Sequence, residues 1–336
     1  MSGRRGGCFA RLLLFAALLV GLAVAGAAYR LTSAYQGFPH ELFLNFEKGT
    51  STASMADQLA SAGVIRGKWD FLLVRALQPK ARLQAGEYRF ASPASVWTVF
   101  DRIVRGDVFY YEVTIPEGSN MFDVAQILDK LGFIKGPDFL KIARSPKPIA
   151  DLSPQAPSLE GYLFPSTYRL TRRATAAQVA RMMTDLFRRR WQELKRPADL
   201  DVNRIVTLAS IVEKETGIAS DRPRVASVYA NRLRLGMTLD CDPTTIYAAL
   251  LENRYRGVIH RSDLDNTSPY NTYRHAGLPP GPIANPGAAS LQAALQPAQT
   301  DFLYFVAKPD GSGQHWFSRT LAEHSRHVQE YRRGMR

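Results

Sequence analysis

The stretch 203-NRIVTLASIVEKETG-217 decides how the chain is read. At about 100° per residue, Ile205, Leu208, Ile211 and Val212 fall on one side of a helix. Glu215 falls on that side too, three residues after Val212 and four after Ile211. Thr207, Ser210, Glu213 and Lys214 sit elsewhere on the wheel, where solvent is expected. A carboxylate among apolar neighbours loses hydration, which raises its pKa. A carboxyl still protonated near neutral pH is what general-acid cleavage of a glycosidic bond requires. The helix alone fits better a Glu at the stripe edge that snorkels out or pairs with an Arg.

Around this helix, 336 residues leave room for two or three domains, and 46% apolar content supports a core. The net charge of +13 suits an anionic partner or an Arg-rich solvated surface. Cys8 and Cys241 are too few for a disulfide framework or a zinc site. Leu12 to Tyr29 is an uncharged run preceded by Arg4, Arg5 and Arg11. At 1.5 Å per residue it spans about 27 Å, close to a bilayer core. It predicts a transmembrane anchor at 12–29 with residues 1–11 cytoplasmic and the rest outside. The A-x-A-like steps at 23–25 and 25–27 leave a cleaved leader open. Export removes most of the weight from nucleic acid as the anionic partner.

After a linker at 30–41, an internal repeat appears at an offset of about 69 residues. Gly49, Ala56, Leu59, Gly63, Ile65 and Gly67 match Gly118, Ala125, Leu128, Gly132, Ile134 and Gly136 without a gap. Each copy reads as strand, turn, helix and second helix, with LQAGEYRF (83–90) closing the first copy as a strand. The unit is similar to a LysM-like glycan-binding module, and a purely structural α+β repeat fits it equally. The expected architecture is α+β: a transmembrane helix, a LysM-like α+β subdomain at 42–108, and a mixed α/β domain with a glycan-binding groove at 109–336.

Helices are expected over 174–194 and within 221–239, the second ended by Gly236. Asn231 falls near the packed face of the second, where an amide needs a partner. Asp242 before Pro243 reads as a helix N-cap, which is a sufficient structural role. The stretch 268-SPYNTYRHAGLPPGPIANPG-287 holds Tyr270, Asn271 and Tyr273 in close order among prolines and glycines. Aromatic faces and amides suit sugar recognition in such a loop, and a proline-rich structural crossover fits as well. FLYFVA and HWFSRT flank KPDGSGQ as a β-hairpin before a basic helix from Leu321. His324 and His327 lack a third ligand, no phosphate or dinucleotide loop is present, and no metal or cofactor is expected.

Glu215 is thus the one chemical group that stands out. A single carboxylate suffices if the substrate supplies its own nucleophile, as N-acetylmuramic acid does with its C6 hydroxyl. The motifs LASIVEKETG (208–217), RVASVYANRLRLGMTLDCDPTTIY (224–247), SPYNTYRHAGLPPGPIANPG (268–287) and LYFVAKPDGSGQHWFS (303–318), with EGYLFPSTY (160–168), closely resemble the MltG (YceG-like) endolytic murein transglycosylases. The resemblance implies that Glu215 is catalytic, with Asn231, Asp242 and the Tyr270–Tyr273 segment as groove residues. It implies cleavage of the β-1,4 bond between N-acetylmuramic acid and N-acetylglucosamine in nascent peptidoglycan, leaving 1,6-anhydro ends, without a cofactor. Implied partners are peptidoglycan strands and synthases of the same membrane. The sequence departs from the family at Asp240, where a Gln is expected. A non-catalytic peptidoglycan-binding scaffold stays open as the alternative.

Overall fold

The computed structural model of the chain describes residues 5–197 and 199–334, so residues 1–4 of the expected cytoplasmic segment lie outside the described residues. The fold is mixed α+β and divides into two compact units, 1–111 and 112–336.

The first unit starts with α1 (Arg5–Thr32), longer at both ends than the apolar run. Within it, Leu13–Thr32 is long and apolar enough to cross a membrane, and of its apolar residues Leu31, near its end, joins the core of this unit. The order then runs β1 (Leu42–Phe46), α2 (Thr52–Ser61), α3 (Lys68–Leu77), β2 (Gly86–Phe90) and α4 (Val96–Arg105). The 83–90 segment closes as expected: β2 lies antiparallel to β1, with Leu42 opposite Phe90 and Phe46 opposite Gly86. Gly49 and Gly63 take the left-handed conformation that ends the strand and the helix in a tight turn. Phe46, Leu59, Phe71, Val74, Tyr88, Val99, Phe100 and Ile103 fill the core of this unit.

The second unit repeats the plan with β3 (Tyr111–Ile115), α5 (Met121–Asp129), α6 (Gly136–Ala143), β4 (Ser166–Leu170) and α7 (Ala176–Glu193). Here β3 pairs with β4, and the Thr114 and Thr167 hydroxyls meet at 2.9 Å. Both copies therefore build strand–helix–helix–strand followed by a helix. The chain continues with α8 (Val202–Glu215), α9 (Arg222–Arg234), α10 (Asp242–Leu251), the short α11 (Arg261–Leu264) and α12 (Ala288–Leu295). A hairpin of β5 (Tyr304–Ala307) and β6 (His315–Ser318) and the helix α13 (Leu321–Gly334) close the chain.

The two-faced reading of the 203–217 helix is corrected by its surroundings. α8 is packed by α12, α9 and α10 at once. Thr207 and Ser210, expected in solvent, are fully buried. Ser210 holds the 278–287 loop by accepting the Ile283 amide at 3.0 Å. The Glu213 side chain is only 6% exposed: it accepts from the Gly287 amide at 2.9 Å and pairs with Arg222 at 3.4 Å. A helix wrapped on all sides needs small polar residues that bond locally, and a wheel cannot separate those from solvated ones.

Candidate active site

Glu215 is the last residue of α8, where the carbonyl end of the helix disfavours a negative charge. Its carboxyl sits at one wall of a cleft of about 430 Å³. The cleft is lined further by Tyr229 and Arg232 from α9, Leu239, Asp240 and Asp242 from the segment entering α10, Tyr273, and Tyr304 and Phe305 from β5. One carboxyl oxygen is fully engaged: Oε1 accepts from the Tyr229 hydroxyl at 3.0 Å and from the Cys241 thiol at 3.1 Å. No hydrogen bond reaches Oε2 among the described residues. Burial pushes the Glu215 pKa up, and the nearby Asp242 carboxylate adds to this against the two donors. The Tyr229 hydroxyl and the Cys241 thiol are themselves raised well above their usual values, by burial first, so both remain proton donors.

The segment before α10 is held against the 268–287 loop. Thr238 bridges Ala276 in antiparallel fashion, the Asp240 amide donates to the Thr272 carbonyl at 3.3 Å, and the Cys241 amide donates to Thr272 Oγ1 at 3.1 Å. This short ladder brings Cys241 and Tyr273 to the same cleft. Arg232, 9% exposed, clamps the other side: it donates to the carbonyls of Thr238, Leu239 and Leu303 and to Asp240 Oδ2 at 3.1 Å. Asp240, the position where a Gln is expected, holds a left-handed φ of 50° and lines the cleft.

The expected groove residues divide. Asp242 is not the N-cap of α10. Cys241 takes that place and Asp242 is the first helical residue, so its carboxylate is released to accept the Tyr273 hydroxyl at 2.7 Å inside the cleft. Asn231 donates to the carbonyls of Thr300 and Phe302, at 2.8 and 3.0 Å, and so fixes the approach to β5. Asn271 is fully buried and spends its amide on the carbonyls of Leu264 and Asn266 and on the Tyr273 amide, at 2.9, 2.7 and 3.1 Å. Tyr270 packs against Tyr247 with the rings tilted by 55° and their centroids 5.2 Å apart. The structure therefore brings Glu215, Asp242 and Tyr273 into one cleft and leaves Asn231, Tyr270 and Asn271 out of its lining.

Sequence reasoning missed Tyr229, Cys241, Arg232, Tyr304 and Phe305. Tyr229 read only as a packing position on its helix. The hairpin read as conventional, yet it presents Tyr304, stacked by His324 at 5.2 Å and by the Arg232 guanidinium at 5.1 Å. His327 stacks on Trp316 and pairs with Ser318, so the two histidines face different partners. Among the described residues no group of three or more His, Cys, Asp or Glu is placed to hold a metal ion.

The cleft thus places one desolvated carboxyl, with no hydrogen bond to its second oxygen among the described residues, beside the rings of Tyr229, Tyr273, Tyr304 and Phe305. The chain matches the model of the YceG-like family over residues 44–330, and it belongs to that family. It is 31% identical over 308 residues to the endolytic murein transglycosylase of Bacillus subtilis, covering 86% of this chain and 84% of that protein. It is 26% identical over 316 residues to the endolytic murein transglycosylase of Streptococcus pneumoniae, covering 84% of this chain and 57% of that longer protein. The crystal structure of a YceG-like protein from Listeria monocytogenes superposes with a TM-score of 0.54 at 30% identity, covering 85% of this chain and 98% of that one.

Proposed function

We propose that this chain is a membrane-anchored lytic transglycosylase that cuts within peptidoglycan glycan strands at the bond from N-acetylmuramic acid to N-acetylglucosamine, with Glu215 as acid and base. The observation that carries this reading is the asymmetry at Glu215. Two donors occupy Oε1, so the proton of the neutral acid resides on Oε2, which has no hydrogen-bond partner among the described residues. Oε2–H gives its proton to the bridging O4 as the C1–O4 bond breaks. The muramic C6 hydroxyl then adds to C1, closing the 1,6-anhydro ring, and its proton goes to Glu215 Oε2. The acid is restored and no water is consumed. Asp242, held by Tyr273, faces the cleft as a negative charge suited to the oxocarbenium-like transition state. Tyr304 and Phe305 offer faces for pyranose rings.

The names of the relatives support peptidoglycan as substrate. Supporting the anchor is Leu13–Thr32, and the basic residues before it favour a catalytic unit on the extracytoplasmic side. The strand–helix–helix–strand unit at 42–90 suits a LysM-like glycan contact, and synthases of the same membrane are the proposed partners. Turnover of purified glycan strands tests the reading. Glu215→Gln, which keeps the shape, should lose about 10³-fold or more in kcat while still binding strands. Full turnover by this variant would refute the assignment.

A further inference from the structure

Outside the cleft, the first unit exposes apolar surface that its core does not explain. Trp69, Leu73 and Leu77 are 73, 43 and 58% exposed on α3, while Phe71 and Val74 on the other side of the same helix are fully buried. The three exposed residues recur every four positions and form one stripe. Trp97, in the first turn of α4, is 38% exposed.

Both tryptophans lie beside the place where the chain leaves α1. Arg30, in the last turn of α1, forks onto Asp70 at 3.2 and 2.9 Å, and Asp70 is next to Trp69. Tyr35, three residues past the end of α1, exchanges backbone hydrogen bonds with Ala94, which precedes α4 and Trp97 by a few residues. Tyr29, in the last turn of α1, is itself 69% exposed. Cations stand by Trp69 and Tyr35. Arg66 donates to Ser33 Oγ at 2.9 Å, and the Lys68 ammonium stands 5.7 Å from the Trp69 ring. From Arg66 to Arg82 the chain carries Arg66, Lys68, Arg75, Lys80 and Arg82 against Asp70 alone, and Asp70 is taken by Arg30.

We propose that the first unit docks on the surface of the bilayer that α1 crosses, with Trp69, Trp97 and Leu73 seated at the level of anionic phospholipid headgroups. This rests on the reading of α1 as a membrane span. The apolar run of that helix ends at Thr32, so the residues bonded to its last turn stand at the interface between hydrocarbon and water. Tryptophan and tyrosine favour that layer, since their rings are apolar and their N–H or O–H groups need water or headgroups. Lysine and arginine beside them gain from anionic lipid. Docking also gives the unit a fixed height above the bilayer, which an unattached linker does not.

The test uses the full chain reconstituted in vesicles of phosphatidylglycerol and phosphatidylethanolamine whose acyl chains are brominated near the headgroup. Wild-type tryptophan emission should be quenched by the brominated lipid. A Trp69→Ser/Trp97→Ser double variant should lose most of that quenching while still floating with the vesicles. Flotation with no bromine quenching, or equal quenching in the double variant, would overturn docking and leave the anchor intact. Failure to float would overturn the anchor and docking together. A tryptophan emission change on adding purified glycan, with none from brominated lipid, would assign the stripe to sugar stacking and overturn the proposal.

Discussion

At the scale of the residue, the surroundings of Glu215 push its pKa up and treat its two oxygens differently. Burial and the helix terminus favour the proton on Glu215, and the Tyr229 and Cys241 donors decide which oxygen carries it. Those donors also stabilise the carboxylate, so removing one raises the Glu215 pKa further. Cys241→Ala should therefore move the basic limb of kcat/KM upward by about half to one pH unit, the worth of one hydrogen bond of about 1 kcal/mol. Cys241→Ser, which restores a donor, should return the limb to within a few tenths of a unit. A profile unmoved by Cys241→Ala would show that the thiol only fills space. Glu215 was legible in the sequence because a charged residue at an apolar wheel position is costly and therefore informative. Cys241 was not: a lone cysteine before Asp-Pro carries no periodic signal, and its partner lies 26 positions away.

At the scale of the element, the loops that build the cleft are held by buried polar hubs. Glu160 is fully buried, with Oε2 accepting from the Met121 amide at 2.9 Å and Oε1 from Asn285 at 2.9 Å. Asn285 accepts from the Gly161 and Leu163 amides at 2.8 and 2.9 Å, tying the end of the 268–287 stretch to the 160–168 motif. Burial pushes the Glu160 pKa from 4.5 up to about 8. The folded chain therefore keeps a proton that the unfolded chain releases above pH 4.5. The stability that Glu160 contributes is fully present below that value, falls as pH rises toward 8, and levels above it. Thermal unfolding at pH 5 and pH 8 should show this decline in the wild type and a flatter dependence in Glu160→Gln. An identical decline in both would place the titrating group elsewhere. The 268–287 stretch announced a rigid loop through its prolines, but not which side chains face sugar. That division follows from the Thr272 ladder and the buried Asn271, which are contacts between distant segments.

At the scale of the whole molecule, the repeat was legible because both copies need the same apolar and glycine positions to close the same small fold. The strands that close them differ in spacing, β2 at 86 and β4 at 166, which is why only the first return was read. The all-round burial of α8 was not legible, since it results from three helices and a loop converging on one element. Each unit has its own core, so a cavity in the first should act there. Phe71→Ala, fully buried among Val74 and Phe100, should cost about 3–5 kcal/mol of the first unit's stability and leave the unfolding transition of the second in place. Calorimetry showing both transitions shifted equally would mean that the units unfold as one.

The most direct test of a single carboxyl working as acid and base is the chemical nature of the ends it makes. Purified glycan strands digested with the wild type and with Glu215→Gln, and analysed by mass spectrometry, should yield 1,6-anhydromuramoyl ends from the wild type alone. Hydrated reducing ends would mean that water, not the C6 hydroxyl, is the nucleophile. Anhydro ends from both proteins would remove Glu215 from the centre of the chemistry.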